Sequence, residues 1–194
     1  MRTLHASKEL RMKFTDAARL ITTNQPSELL VPHNVPYIVS EAGLREVLTK
    51  RLKSDFVADE TIKYTGEPVQ QSTHARYMVQ PGDTIDFAMR EELSSLLTCP
   101  PNRIKRQAAH WYPPGSYLQW SVKPNFPGWR VYFVYADRPN ESFIRWMENG
   151  AVQTNYNSGF DLKMFYAGGG DKEFWHSIYA GRANVLIAGY NVLN

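Results

Sequence analysis

The sequence predicts a fold of the α+β class that is mainly β, with helices first and an antiparallel sandwich or barrel-like jelly roll after them. Three observations lead there. From Arg103 onward the chain breaks into short runs of strand character, separated by PPG, PNFPG, DRPNE, ENG, NSG and AGGG. These breaks hold the glycine, proline, asparagine and aspartate that tight turns use. They are too short for crossover helices, which excludes parallel βαβ units. Aromatic residues make up 13% of the 194-residue chain, a share that suits strands, where rings pack across a pleated surface.

The elements follow in order. Residues 4–21 read as a helix, with Leu10, Phe14, Ala17, Ala18 and Ile21 near one stripe. Residues 22–39 are a connector marked by Pro26, Pro32 and Pro36, in which Val35–Val39 has strand character. Ser40 has the chemistry of an N-cap for a helix over Glu41–Ser54, whose apolar face is Leu44, Val47, Leu48 and Leu52. Thr61–Tyr64 and His74–Val79 read as short strands around a polar loop. Pro81 and Gly82 turn the chain, and Asp83 or Thr84 caps a helix to about Leu97, with Ile85, Met89, Leu93 and Leu96 at helical spacing. Pro100 and Pro101 end it.

The strand run is Ile104–Tyr112, Ser116–Val122, Trp129–Ala136, Ser142–Met147, Ala151–Asn155, Leu162–Ala167, Phe174–Ala180 and Asn184–Val192. Alternation is clearest in WRVYFVYA. There Val131, Phe133 and Tyr135 share one face, and Tyr132, Val134 and Ala136 the other. The chain reads as a single domain over 1–194, with a helix-rich part at 1–102 and an antiparallel core at 103–194.

Composition narrows the function classes. Hydrophobic residues are 43% of the chain, as in a folded domain. The single cysteine, Cys99, excludes an intrachain disulfide and a four-cysteine zinc site. No apolar run is long enough to span a membrane. The opening MRTLHASKELRMKF lacks the apolar core of a secretory signal, so a cytoplasmic protein is expected. Net charge is +3. The clusters Lys50, Arg51, Lys53 and Arg103, Lys105, Arg106 read as solvated surface, leaving nucleic acid open as a partner without requiring it. Gly168, Gly169 and Gly170 lack the lysine and hydroxyl of a phosphate loop. The five histidines, His5, His33, His74, His110 and His176, form no compact cluster in sequence.

Two segments carry the remaining chemistry: His110 to Lys123, and Phe174 to Tyr190. The first holds Tyr112-Pro113-Pro114-Gly115 at a strand entry and an aromatic, Trp120, before Ser121-Val122-Lys123; Pro127-Gly128 then turns into a strong strand. The second holds Trp175-His176 followed by Arg182. Over residues 104–192 these features resemble the iron(II)/2-oxoglutarate dioxygenase superfamily, within it the small oxygenase-like proteins of bacteria and phages. The resemblance implies a double-stranded β-helix, cupin-like, with the helices on one sheet. It implies that His176 is the late metal-binding histidine. Arg182 corresponds to the cosubstrate-anchoring arginine, at a shorter offset than the family's usual one. Tyr112 corresponds to the tyrosine that hydrogen-bonds the cosubstrate.

The proximal motif departs from the family. Where His-x-Asp belongs, this chain has Ser121-Val122-Lys123. Serine is a poor iron ligand, and a lysine ammonium repels a metal. His110, read on a neighbouring strand, is the candidate substitute ligand. Asp137, Glu141 and Asp161 have no spacing that points them at His176. Lys123, if it points inward, stands with Arg182 and Tyr112 as a pocket for a dicarboxylate-like anion. The plainer readings are that His176 is a hydrogen-bonded core histidine, that Arg182 is a turn arginine, and that Lys123 reaches solvent.

Three functions are thus expected in competition. The favoured one is a non-catalytic oxygenase-like protein with a degenerate site, needing no cofactor, that binds a protein or anion or serves in an assembly, intracellular or in a phage virion. The second is an active dioxygenase using Fe(II) and 2-oxoglutarate at an atypical site. The third is an unrelated jelly-roll binding or virion module. Edge strands and surface tyrosines permit an oligomer in each case.

Overall fold

The structure, a computed structural model, describes residues 1–23, 39–46, 48, 73–74, 77–122, 127–168 and 173–193. Its strands are β1 (Arg2–Leu4), β2 (Thr73–His74), β3 (Tyr77–Val79), β4 (Ile104–Tyr112), β5 (Tyr117–Ser121), β6 (Gly128–Ala136), β7 (Phe143–Glu148), β8 (Ala151–Tyr156), β9 (Phe160–Ala167), β10 (His176–Tyr179) and β11 (Val185–Val192). Among the described residues, helices α1 (Lys8–Thr23) and α2 (Asp83–Leu97) and a 3-10 turn over Pro101–Arg103 have set bounds, and residues 41–46 are also helical. Each strand expected from Arg103 onward is present, within about two residues at its ends, because turn chemistry and period-two alternation are local signals.

The strands form two antiparallel sheets, ordered β1-β9-β6-β11-β4-β3 and β2-β5-β10-β7-β8. Within β4–β11 the pairing is nested. The first strand pairs with the eighth (β4 with β11), the second with the seventh (β5 with β10), the third with the sixth (β6 with β9) and the fourth with the fifth (β7 with β8). Cross-pairs β6–β11 and β7–β10 close each sheet. A long hairpin rolled over in this way is a jelly roll, the double-stranded β-helix.

Two cores flank the six-stranded sheet. The alternation in β6 divides them as expected. Val131, Phe133 and Tyr135 join Leu10, Phe14 and Ala18 of α1 and Met89 and Leu93 of α2. Tyr132, Val134 and Ala136 face the other sheet, with Ile144, Phe165, Ile178, Val185 and Ile187. Phe14, at 0% exposure, sets its ring against Phe133 and Phe160. Burial of such side chains, at about 1.5–3 kcal/mol each, is what holds α1 and α2 on the sheet.

Several expectations need correction. Residue 4 does not open the helix expected over 4–21: residues 2–4 form β1, with Leu4 in register with Leu162 of β9. The helix begins after Ser7, whose hydroxyl accepts the Leu10 N–H at 3.3 Å. His74–Val79 is not one strand: β2 belongs to one sheet and β3 to the other. The N-cap position of α2 is Gly82, with no side-chain cap, so Asp83 is already inside the helix. Ser40 caps as expected, taking the Gly43 N–H on its hydroxyl at 3.1 Å. The helical residues 41–46 that follow do not share the sheet of α1 and α2, however. Leu44 packs with Trp120 and Trp175 on the outer face of the five-stranded sheet, and Trp120 donates its indole N–H to the Ser40 carbonyl at 2.8 Å. The expected strands Val35–Val39, except its last residue, and Thr61–Tyr64, and the helix beyond residue 48, lie outside the described residues.

Candidate functional site: the interior around His176

His176 opens β10 and stands in register with Ser121 of β5 on one side and Trp146 of β7 on the other. The fold therefore places Ser121 beside His176. His176 and Ile178, two apart on β10, share the inward face, and the register shift opposite them falls in β5, where the bulge brings both Ser121 and Leu118 to that face. The His176 ring is 4% exposed and lies among aromatic rings: Phe165 at 5.6 Å, Phe174 at 5.7 Å and Tyr132 at 6.1 Å between centroids. Phe165 and Phe174 stack on each other at 4.3 Å. The Tyr132 hydroxyl approaches His176 Nε2 at 3.5 Å. Tyr132 lies across β11 at Gly189, where a Cβ would come within 3.2 Å of its ring. That glycine sets the depth to which the phenol reaches.

Two buried cations sit in the same interior, and sequence reasoning passed over both. Arg130, 3% exposed, hydrogen-bonds Asn191. Lys163, 1% exposed, hydrogen-bonds Asn155 and pairs with Asp161 at 3.6 Å. Burial pulls the Lys163 ammonium and the Arg130 guanidinium below their usual ranges. The signal existed in the sequence: Arg130 has the parity of Tyr132 and Val134, and Lys163 that of Phe165. Between Arg130, Tyr132, Phe165, Ala167, Phe174 and His176 there is a cavity of about 10 Å³, the space of one water at most.

The other expected site residues lie apart from His176. Arg182 occupies the turn after β10, 79% exposed, and is held in a two-point pair with Glu141 at 2.7 and 2.9 Å. It faces solvent because Gly181, at φ 58, turns the chain outward before β11. Tyr112 is buried in the inter-sheet core opposite Val185. His110 lies on β4, in the other sheet from β10 rather than on its neighbour, with its ring 6.4 Å from Tyr112. Asp137 accepts two hydrogen bonds from Asn184, and Asp161 accepts from Ser158. Lys123 lies outside the described residues.

These residues do not fit an iron centre. A facial site needs two imidazoles and a carboxylate converging with open positions. Around His176 stand a serine, a phenol, an indole and two phenyl rings. Among the described residues no group of three or more His, Cys, Asp or Glu is arranged to hold a metal ion. No helix among them is long and apolar enough to cross a membrane.

Fold and interior together define a double-stranded β-helix whose described residues assemble no metal triad. No family model and no curated protein matches the chain. Among solved structures it is similar to a prolyl-4-hydroxylase of Pseudomonas putida, at 15% identity and a TM-score of 0.46, over 66% of this chain and 75% of that one. It is also similar to a predicted oxalate decarboxylase of Thermotoga maritima, at 14% identity and a TM-score of 0.36, over 64% of this chain and 86% of that one.

Proposed function

We propose that this protein is a non-catalytic jelly roll of the oxygenase-like kind that works as a binding or assembly module. The observation that supports this reading is the surroundings of His176. Across from it stands Ser121, and Phe165, Phe174 and Tyr132 pack the space where a metal and cosubstrate would sit. A cavity of about 10 Å³ is far below the roughly 300–1,000 Å³ of small-molecule sites. The interior then serves stability, and recognition falls to the outer surface.

The test is anaerobic titration of the full chain with Fe(II), and separately with Mn(II), with and without 2-oxoglutarate, followed by calorimetry. The expected result is no binding tighter than about 1 mM, a free energy of roughly −4 kcal/mol. Micromolar metal binding that is lost in His176→Gln, with the fold retained by circular dichroism, would overturn the reading and favour an active dioxygenase.

A further inference from the structure

β8 is the outer strand of the five-stranded sheet, and among the described residues it pairs on one side alone, with β7. The direction of its open side follows from the ladder. Asn157 donates its N–H to the Ser142 carbonyl at 3.0 Å, so its backbone groups turn toward β7. Backbone direction alternates along an antiparallel strand. Asn155 and Gln153 therefore turn theirs toward β7 as well, while Val152, Thr154 and Tyr156 aim N–H and C=O outward. Ala151, Gln153, Thr154 and Tyr156 are exposed.

Exposed sheet edges are normally guarded by charge, proline, bulges or shortness. The edges β1 and β3 are three residues each. β8 has six residues and pairs with β7 without a register shift. From Asn149 to Phe160 the chain carries no charge and no proline.

We propose that β8 is a self-association edge, pairing antiparallel with β8 of a second copy of this chain about a two-fold axis at Thr154. The residue order is complementary to its own reverse. With Thr154 facing its mate, Val152 of each copy faces Tyr156 of the other. All three are residues whose N–H and C=O point outward, so each opposed pair closes its backbone hydrogen bonds. On the outer face the side-chain pairs are threonine with threonine and tyrosine with valine, both favourable across strands. On the inner face Gln153 meets Asn155, amide with amide. No charge opposes its own copy, although the molecule as a whole is cationic at +3. A different protein strand would need no such self-complementarity, which is why a second copy is the occupant. One strand pair buries less than the roughly 1,200–2,000 Å² of a permanent interface, so association is concentration-dependent.

Sedimentation equilibrium of the full chain from about 5 to about 500 μM should show the average mass rising from one chain toward two. Over the same range, hydrogen exchange at the amides of Val152, Thr154 and Tyr156 should slow at least roughly tenfold. Thr154→Pro removes an outward N–H and spares the β7 ladder, and should weaken association at least about tenfold. Thr154→Lys should do the same by opposing like charges, and carries the test if the proline variant does not fold. Thr154→Val, which keeps the outward N–H and a β-branched side chain while losing the hydrogen bond from Arg145 and the threonine–threonine contact, should still associate. A single chain across the whole range overturns the proposal. So does a dimer that leaves those amides unprotected, or one unchanged in a folded Thr154→Pro or Thr154→Lys variant.

Discussion

Tyr190 and Asp86 show how one buried polar pair joins a helix to the sheet. Tyr190 is fully buried on β11 and donates to Asp86 of α2 at 2.6 Å. Arg90 and Arg106 flank the same carboxylate at 3.1 and 3.6 Å. Burial, and then the hydrogen bond to Asp86, push the Tyr190 hydroxyl far above its ordinary range. In the unfolded chain the phenol ionises near pH 10. Below that pH both states keep the proton and this contribution to stability is intact. Above it the unfolded state loses the proton first, so stability falls by up to about 1.4 kcal/mol per pH unit. Urea unfolding of wild type and Tyr190→Phe from pH 7 to beyond 10 measures this. The variant should lose about 1–3 kcal/mol at neutral pH and show a shallower alkaline decline. Equal slopes would remove the assignment. The same scale contains the largest change to the candidate site. Arg182, expected as a cosubstrate anchor, pairs with Glu141 in an exposed turn, while among the described residues Arg130 and Lys163 are buried.

At the scale of elements, the turns decide where side chains are delivered. Gly181 lies between β10 and β11 at φ 58. Its carbonyl accepts the Gly115 N–H at 2.6 Å, and a Cβ there would overlap the Glu141 carbonyl. The turn thus locks the β4–β5 and β6–β7 connections together. Gly181→Ala should cost about 3 kcal/mol or more, combining left-handed strain with a backbone clash; thermal unfolding checks it, and a loss under about 1 kcal/mol would contradict it. The segment over the five-stranded sheet is tied down through Leu44 and the Ser40 carbonyl. Trp120→Phe keeps the ring in the cluster with Leu44 and Trp175 but removes the N–H that reaches the Ser40 carbonyl. A loss of about 1 kcal/mol is expected. Faster hydrogen exchange over residues 41–46 should accompany it, while α1 stays unchanged.

For the whole molecule, nested pairing makes nearly every sheet contact long-range. β11 lies between β6 and β4 in the middle of the six-stranded sheet, so the last strand of the roll completes the partnership of the first. Deleting residues 185–194 should abolish cooperative unfolding rather than trim stability, because β4 and β6 each lose a neighbour along their length. A sigmoidal urea transition in that truncation would refute this. The same topology places the chain among slow folders, on the order of milliseconds to seconds. The metal titration and the β8 association also belong to this scale, since one concerns the closed interior and the other the open edge.

The sequence by itself determined the strands from Ile104 to Val192, their two-faced character, and the serine that follows Trp120. Those are local properties: alternation, turn residues and the identity of the residue after Trp120 are all present in a few consecutive positions. It also held the parity that sends Arg130 and Lys163 inward, although polar residues within apolar runs do not announce burial. Only the tertiary structure decided the rest. Residues 2–4 became a strand because β9 offers a free edge, and β2 and β3 parted because two different sheets pair with them. Arg182 turned outward because Glu141 and Gly181 meet it there. β8 was left as a long uncharged edge because the roll ends on it. Hydrogen-bond partners distant in sequence settle each of these outcomes, and no run of neighbouring residues encodes them.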